Sequence, residues 1–412
     1  MEFKLKNKQL IDLDAKVFSL NKMYSMALSS LGKLPNIYAL KEITKKINSI
    51  KEGLSKIKTE DEFEKLVVEN YLLNLESQRV YLEYFTTAGK ENLEETLKIL
   101  LGENSIKIIE EQAKNFDYES FWNFYLSYQD YTYRSIPQDD ESQREKLKEI
   151  LKNLKKDILE YAEKNFNFPK KYEFDLILGQ PYSKQTYFHP TTKRMEVSPS
   201  KFLIYKDNNE IKINTNNVIE VLFHELIGHG RHEINSTNLP LALQDSSINL
   251  VTTSAHVHAE GVSQITRKDA IEFMKLHKEK YLLEDDYIKQ SELAEVSDSA
   301  NSLLITFQYL QLKNLEDSSF NIEKEYKKIT NNHGLFILYS TIDKSPLSCV
   351  KNATYLIGLH NMKELLKSIE KEYGKDYFKK NHSIINQAIS TGLWHFKVLP
   401  KFVRLFLNSN HK

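Results

Sequence analysis

Apolar residues in the first part of the chain recur at helical intervals. Phe63, Leu66, Val67, Tyr71 and Leu75 follow one another at spacings of 3, 1, 4 and 4, which places them on one stripe of a helix. Similar patterns run through residues 40–57, 93–116 and 147–166, and no proline interrupts the chain between Pro35 and Pro137. The last of these follows an Asp-Asp-Glu-Ser run suited to a helix N-terminus. Residues 1–168 therefore read as an antiparallel helical region, with the pairs Tyr81/Tyr84 and Phe121/Phe124 expected to pack inside it.

The period changes after Pro169. Tyr172–Leu178 alternates in part, Gly179-Gln-Pro181 interrupts it, and short alternating stretches follow at residues 193–197 and 201–205. A turn at residues 206–209 leads into Glu210–Ile213. These signals predict a small sheet of three to five strands within 172–213. Helix returns at about residue 217 and continues, with a loop near 235–245, to the end of the chain. The fold class is thus mainly α with a small β-sheet, in two regions, 1–168 and 169–412. Ser302–Leu312 is expected to be a buried helix.

Composition agrees and narrows the options. Glycine (12) and proline (9) are scarce in 412 residues, as a helical chain requires. Lysine plus arginine and aspartate plus glutamate both number 57, a balance that argues against nucleic acid as a partner. No apolar run approaches the roughly 18 residues of a membrane span, so no membrane partner is expected. The first fourteen residues alternate charge without an apolar stretch, which argues against a signal peptide. The single cysteine, Cys349, suits a reducing compartment. A soluble, cytoplasmic protein is expected.

The candidate chemistry is a histidine cluster. Five of the twelve histidines, His224, His229, His232, His256 and His258, fall within residues 224–258. His224 and His229 lie in Val-Leu-Phe-His-Glu-Leu-Ile-Gly-His-Gly, where an apolar lead-in presents His-Glu and then a second histidine. In the usual HExxH helix the histidines are four apart and share a face. Here they are five apart, about 140° around a regular helix. A π-bulge would absorb the extra residue, and Gly228 makes a local deviation cheap. Glu260 supplies a downstream carboxylate, on a helix predicted over about 252–267, while the HExxxH helix is predicted over about 216–233.

Two imidazoles and a carboxylate leave zinc one open position. His224, His229 and Glu260 are therefore the expected ligands of one Zn2+, and Glu225 the general base for an activated water. His256, four residues before Glu260, shares its face and is a candidate to support it. His232 and Glu233 are weaker ligand candidates, His258 is expected on another face, and Glu220 at the surface or beside a ligand.

These residues resemble the gluzincin zinc peptidases of HExxxH form. Ala259-Glu260-Gly261 is similar to the Glu-Gly motif of the family containing the microtubule-associated tyrosine carboxypeptidases and bacterial proteins named for QEGLA, although Ala259 replaces the glutamine. Tyr355-Leu-Ile-Gly-Leu359, Thr391-Gly-Leu-Trp394 and Leu399-Pro400 also resemble that family. His224–His229 is similar to the HELLGH of dipeptidyl peptidase III, whose chains are longer. A looser likeness is to bacterial peptidase-like proteins with HExxPGHH and EGWALY motifs.

The resemblance implies a zinc metallopeptidase, a carboxypeptidase acting on a peptide or protein C-terminus. Dipeptidyl-peptidase or oligopeptidase specificity and a non-catalytic metal-binding scaffold are the alternatives. It further implies an α+β zincin in which the N-terminal helices pack against the catalytic region, and an oxyanion donor on a C-terminal helix. Tyr355 leads for that role, with His360 and His382 as alternates. An edge strand at 193–197 or 201–205 would pair with the substrate. Arg194, Arg231 and Arg267 are candidates for its terminal carboxylate.

Overall fold

A computed structural model describes the chain except residues 1–2, 30–36, 87–92, 118, 120–140, 167, 170–171, 181–186, 190–192, 208–209, 245–253, 284, 320, 331–345 and 411–412. In chain order the helices before the strands are α1 (Lys8–Ser29), α2 (Ile37–Ser55), α3 (Glu62–Thr86), α4 (Leu93–Leu101), α5 (Ser105–Lys114) and α6 (Glu141–Phe166). Five strands follow, β1 (Asp175–Leu178), β2 (Tyr187–His189), β3 (Arg194–Val197), β4 (Leu203–Asp207) and β5 (Glu210–Asn214). Next come α7 (Asn216–Leu222), a π-helical segment (Phe223–Gly230), α8 (Arg231–Ser236), a 3-10 turn (Leu241–Leu243) and α9 (Ser254–Gln264). The remainder is α10 (Arg267–Leu276), α11 (Asp285–Glu316), α12 (Ile322–Thr330), α13 (Pro346–Tyr373), α14 (Lys375–Lys380), α15 (His382–Ile389) and α16 (Leu399–Asn410). The protein is mainly α with a small β component. No helix of the described residues is long and apolar enough to cross a membrane.

The chain forms two compact units that interleave in sequence, where the residue pattern suggests one boundary near 168. One comprises residues 1–116, 235–262 and 298–412; the other comprises 117–234 and 263–297.

In the first unit the stripe on α3 is buried as its spacing requires, with Phe63, Val67, Tyr71 and Leu75 at 1 % exposure or less. Asp61 starts the helix by accepting the backbone N–H groups of Phe63 and Glu64. Tyr81 and Tyr84 are core residues, while Phe121 and Phe124 lie outside the described residues. The single helix expected over 93–116 is two, α4 and α5. Gly102 separates them at φ +114°, a conformation that L side chains rarely adopt. Residues 302–312 are buried within α11 except for the half-buried Leu304.

Two buried polar nodes tie this unit together. Asp14 on α1 accepts Tyr71 Oη and the N–H groups of Leu241 and Ala242, which satisfies the start of the 3-10 turn. Asn70 on α3 donates to the Leu393 carbonyl and accepts the His395 N–H. Segment 391–395 is thereby fixed to α3. It is also fixed to the end of α8, where Ser236 Oγ accepts the Gly392 N–H.

His395 is buried, and its Nδ1 accepts the Lys397 N–H. Burial, with the Lys397 charge adding, pushes its imidazole down to about 3. The folded ring stays neutral where the unfolded one, near its ordinary value, takes a proton. Stability from this residue is therefore complete above pH ~6.5 and falls by about 1.4 kcal/mol per pH unit as pH drops from there toward 3. Urea unfolding at pH 7 and pH 5 should show wild type losing about 2 kcal/mol more than His395→Gln. Equal losses would show that the ring does not stay neutral.

In the second unit α6 buries Leu147, Leu151, Leu154, Ile158, Ala162 and Phe166, at spacings of three and four, against Phe174, Met195, Val197, Phe223 and Phe273. Asp157 on the same helix receives Lys280 Nζ at 2.8 Å and Tyr281 Oη at 2.6 Å. The strands form two sheets rather than one. The first has the order β1-β3-β2, with β1 parallel and β2 antiparallel to β3. The second is the β4–β5 hairpin, closed at Asp207 and Glu210. β3 is therefore the central strand of its sheet. The expectation that residues 193–197 offer an edge is corrected, because both sides of β3 are already paired.

Candidate metal centre

The predicted bulge is present and larger than one inserted residue. Residues 223–230 are π-helical throughout, with α-helix immediately before and after. Three apolar residues of this stretch, Phe223, Leu226 and Ile227, are buried in the core of the second unit. Phe223 meets the Tyr161 and Phe273 rings at 5.6 and 5.4 Å. That anchorage leaves His224, Glu225 and His229 half-buried. The wider π turn brings the two histidines to one side despite their five-residue spacing. Their ring centroids are 5.1 Å apart at an interplanar angle of 81°.

Gly228 has a role beyond easing the backbone. A Cβ there would stand 2.6 Å from the Ser263 Cα and 2.7 Å from its Cβ. The π segment and the C-terminal turn of α9 touch at backbone distance, which only glycine permits. Ser263 lies three residues after Glu260, so the two share a face of α9. The residue pattern alone assigns Ser263 no role at the site. The available signal was a small residue one turn beyond the acid.

One ligand atom each from His224, His229 and Glu260 lie within 4.8 Å of one another, and these three form the metal-capable group among the described residues. Tetrahedral zinc bonds of about 2.1 Å place ligand atoms roughly 3.4 Å apart, so the donors have the chemistry and nearly the spacing for that ion. Two neutral imidazoles and a carboxylate fit zinc in type and number.

The neighbouring histidines divide by role. His256 Nε2 stands 3.6 Å from Glu260 Oε1. His258 is packed: Nε2 donates to the Ile389 carbonyl at 2.7 Å, and Nδ1 accepts the Trp394 N–H at 3.1 Å. Those two bonds fix a neutral tautomer and fasten α9 to segment 389–394. The Thr391-Gly-Leu-Trp394 run is thus a clasp on the helix that carries Glu260. His232 is buried and outside the ligand group, Glu233 is also outside it, and Glu220 is half-buried.

α13 crosses α9 at paired glycines. A Cβ on Gly261 would stand 2.5 Å from the Gly358 carbonyl, and one on Gly358 would stand 2.6 Å from that of Val257. Tyr355 is half-buried one turn before Gly358. His360 on the same helix is half-buried, and burial holds its imidazole below the ordinary value. His382 is exposed and contacts Asn386 at 3.2 Å.

Of the three arginines, Arg194 is exposed on the central strand and lies 3.8 Å from Glu196. Arg231 is 2 % exposed, over the Phe166 ring at 4.8 Å, where a substrate cannot reach it. Burial also pushes its guanidinium down to about 10. Arg267 is half-buried at the start of α10.

No protein-family model and no curated protein matches the chain. Among solved structures it is similar to one described as "the putative lipoprotein from Colwellia psychrerythraea", at 12 % identity and a TM-score of 0.49, over 98 % of this chain and 77 % of that one.

Proposed function

We propose that the protein is a metal-dependent peptidase of the gluzincin type, acting as a carboxypeptidase on peptide or protein C-termini. The observation that carries the reading is the grouping of His224 and His229, brought together by a π-helical turn, with Glu260 of α9, and with Glu225 adjacent to the first ligand. A zinc ion held by these three residues would supply a Lewis acid able to polarise a carbonyl and to acidify water. Glu225 precedes the buried Leu226 and Ile227, so its backbone is fixed by the core while its carboxylate remains half-buried. In this reading it takes the proton from the attacking water and hands it to the leaving amine.

Tyr355 donates its hydroxyl to the developing oxyanion, with His360 as the alternate; His382, facing solvent, drops out. The substrate main chain adds to β2, the edge strand that packs beside the π segment. Arg267 is the remaining arginine of the three for a terminal carboxylate, since Arg231 is sealed and Arg194 is turned to solvent and to Glu196. A chain with one cysteine suits the reducing cytoplasm, where we place it.

Zinc-loaded protein incubated with a mixed peptide library is expected to yield products shortened from the C-terminus, read by mass spectrometry. Products shortened by two residues from the N-terminus would overturn the carboxypeptidase assignment. A library left intact would overturn the peptidase itself.

A further inference from the structure

Glu260 and His256 are four residues apart on α9 and therefore neighbours on one face. The imidazole Nε2 stands 3.6 Å from Glu260 Oε1, an ion-pair distance longer than a hydrogen bond, and the two side chains are only 18 % and 6 % exposed. His258 cannot do the same work, because both of its ring nitrogens are bonded to backbone groups of residues 389 and 394. Nor is His256 itself part of the group of three that gathers within 4.8 Å.

We propose that His256 is a positioning residue for Glu260: its ring, at ion-pair distance from Oε1, orients the carboxylate that would hold the cation. This rests on the reading of His224, His229 and Glu260 as a metal site, and adds to it the group that sets the geometry of the third ligand. A carboxylate can rotate and can bind a cation through one oxygen or two. A ring at ion-pair distance from one oxygen limits that freedom. Histidine ligands are commonly oriented by a carboxylate, and here the relation is inverted. Partial burial of both side chains strengthens their electrostatic interaction relative to an exposed pair.

The test is zinc affinity, measured by competition with a chromogenic chelator, for wild type, His256→Leu and His256→Gln, together with the melting temperature of each metal-free protein. The leucine variant is expected to bind zinc 10- to 100-fold more weakly. Glutamine, whose amide N–H has a similar reach, should recover affinity to within about threefold of wild type. The metal-free melting temperatures should agree within about 2 °C. Unchanged affinity in the leucine variant would overturn the proposal. So would a glutamine variant as weak as leucine, or affinity losses matched by a lower metal-free melting temperature. Wild type that binds no zinc would remove the metal site itself, whereas the other outcomes remove only the role of His256.

Discussion

Glu225→Gln should keep the bound metal and lose hydrolysis by a factor of about 10²–10⁴, the range for removing a general base. The substitution preserves size and exchanges one oxygen for an amide nitrogen. The flanking core contacts of Phe223, Leu226 and Ile227 belong to other side chains and are not disturbed. Glu225 is absent from the group that gathers around the candidate cation position, so metal content should remain as in wild type. The loss should fall on kcat with KM little changed, because the proton is accepted only as the transition state forms. Steady-state kinetics on a peptide cleaved by wild type, with metal content measured on the same samples, checks both halves. A variant within tenfold of wild-type kcat would remove Glu225 as the base. A variant that loses metal would make it a structural group.

Gly228→Ala has the second largest expected effect, on stability and metal binding together. The added methyl would lie 2.6 Å from the Ser263 Cα, and a backbone atom cannot swing aside as a side-chain tip can. Either the π segment or α9 must move. Overpacking of this kind costs about 1–3 kcal/mol. The displaced elements carry His229, one residue after Gly228, and Glu260, three residues before Ser263. Zinc affinity should therefore fall by more than about tenfold, since supporting contacts alone are worth 10- to 100-fold. Replacing Ser263 by alanine in the same chain should not rescue it, because the Cα remains. Urea unfolding and chelator competition read the two effects, and wild-type values in both would show that the close approach is not needed.

The helical stripes and the site were legible to different depths. The stripe from Phe63 to Leu75 and that from Leu147 to Phe166 follow directly from apolar spacing, which burial then enforces. The extra residue between His224 and His229 was legible as a bulge because two ligands five apart cannot otherwise share a face. Its spread over eight residues was not, since that depends on the packing of Phe223, Leu226 and Ile227. The break at Gly102 is not legible because an apolar period continues across it, while residues 102–104 leave the helix with Gly102 at positive φ. The misplaced edge at 193–197 has a similar origin. Alternation marks a strand, but not how many of its sides are paired. His258 was the least legible, because its partners lie more than 130 residues away at Ile389 and Trp394.

The most direct measurement is metal content by mass spectrometry on wild type and His229→Ala, each purified without added zinc. The expected result is about one zinc per chain in wild type and close to none in the variant, since a catalytic zinc site has three protein ligands and loses its hold with two. Wild type without bound metal, or a variant that retains it, would contradict the assignment of His224, His229 and Glu260 as the metal centre.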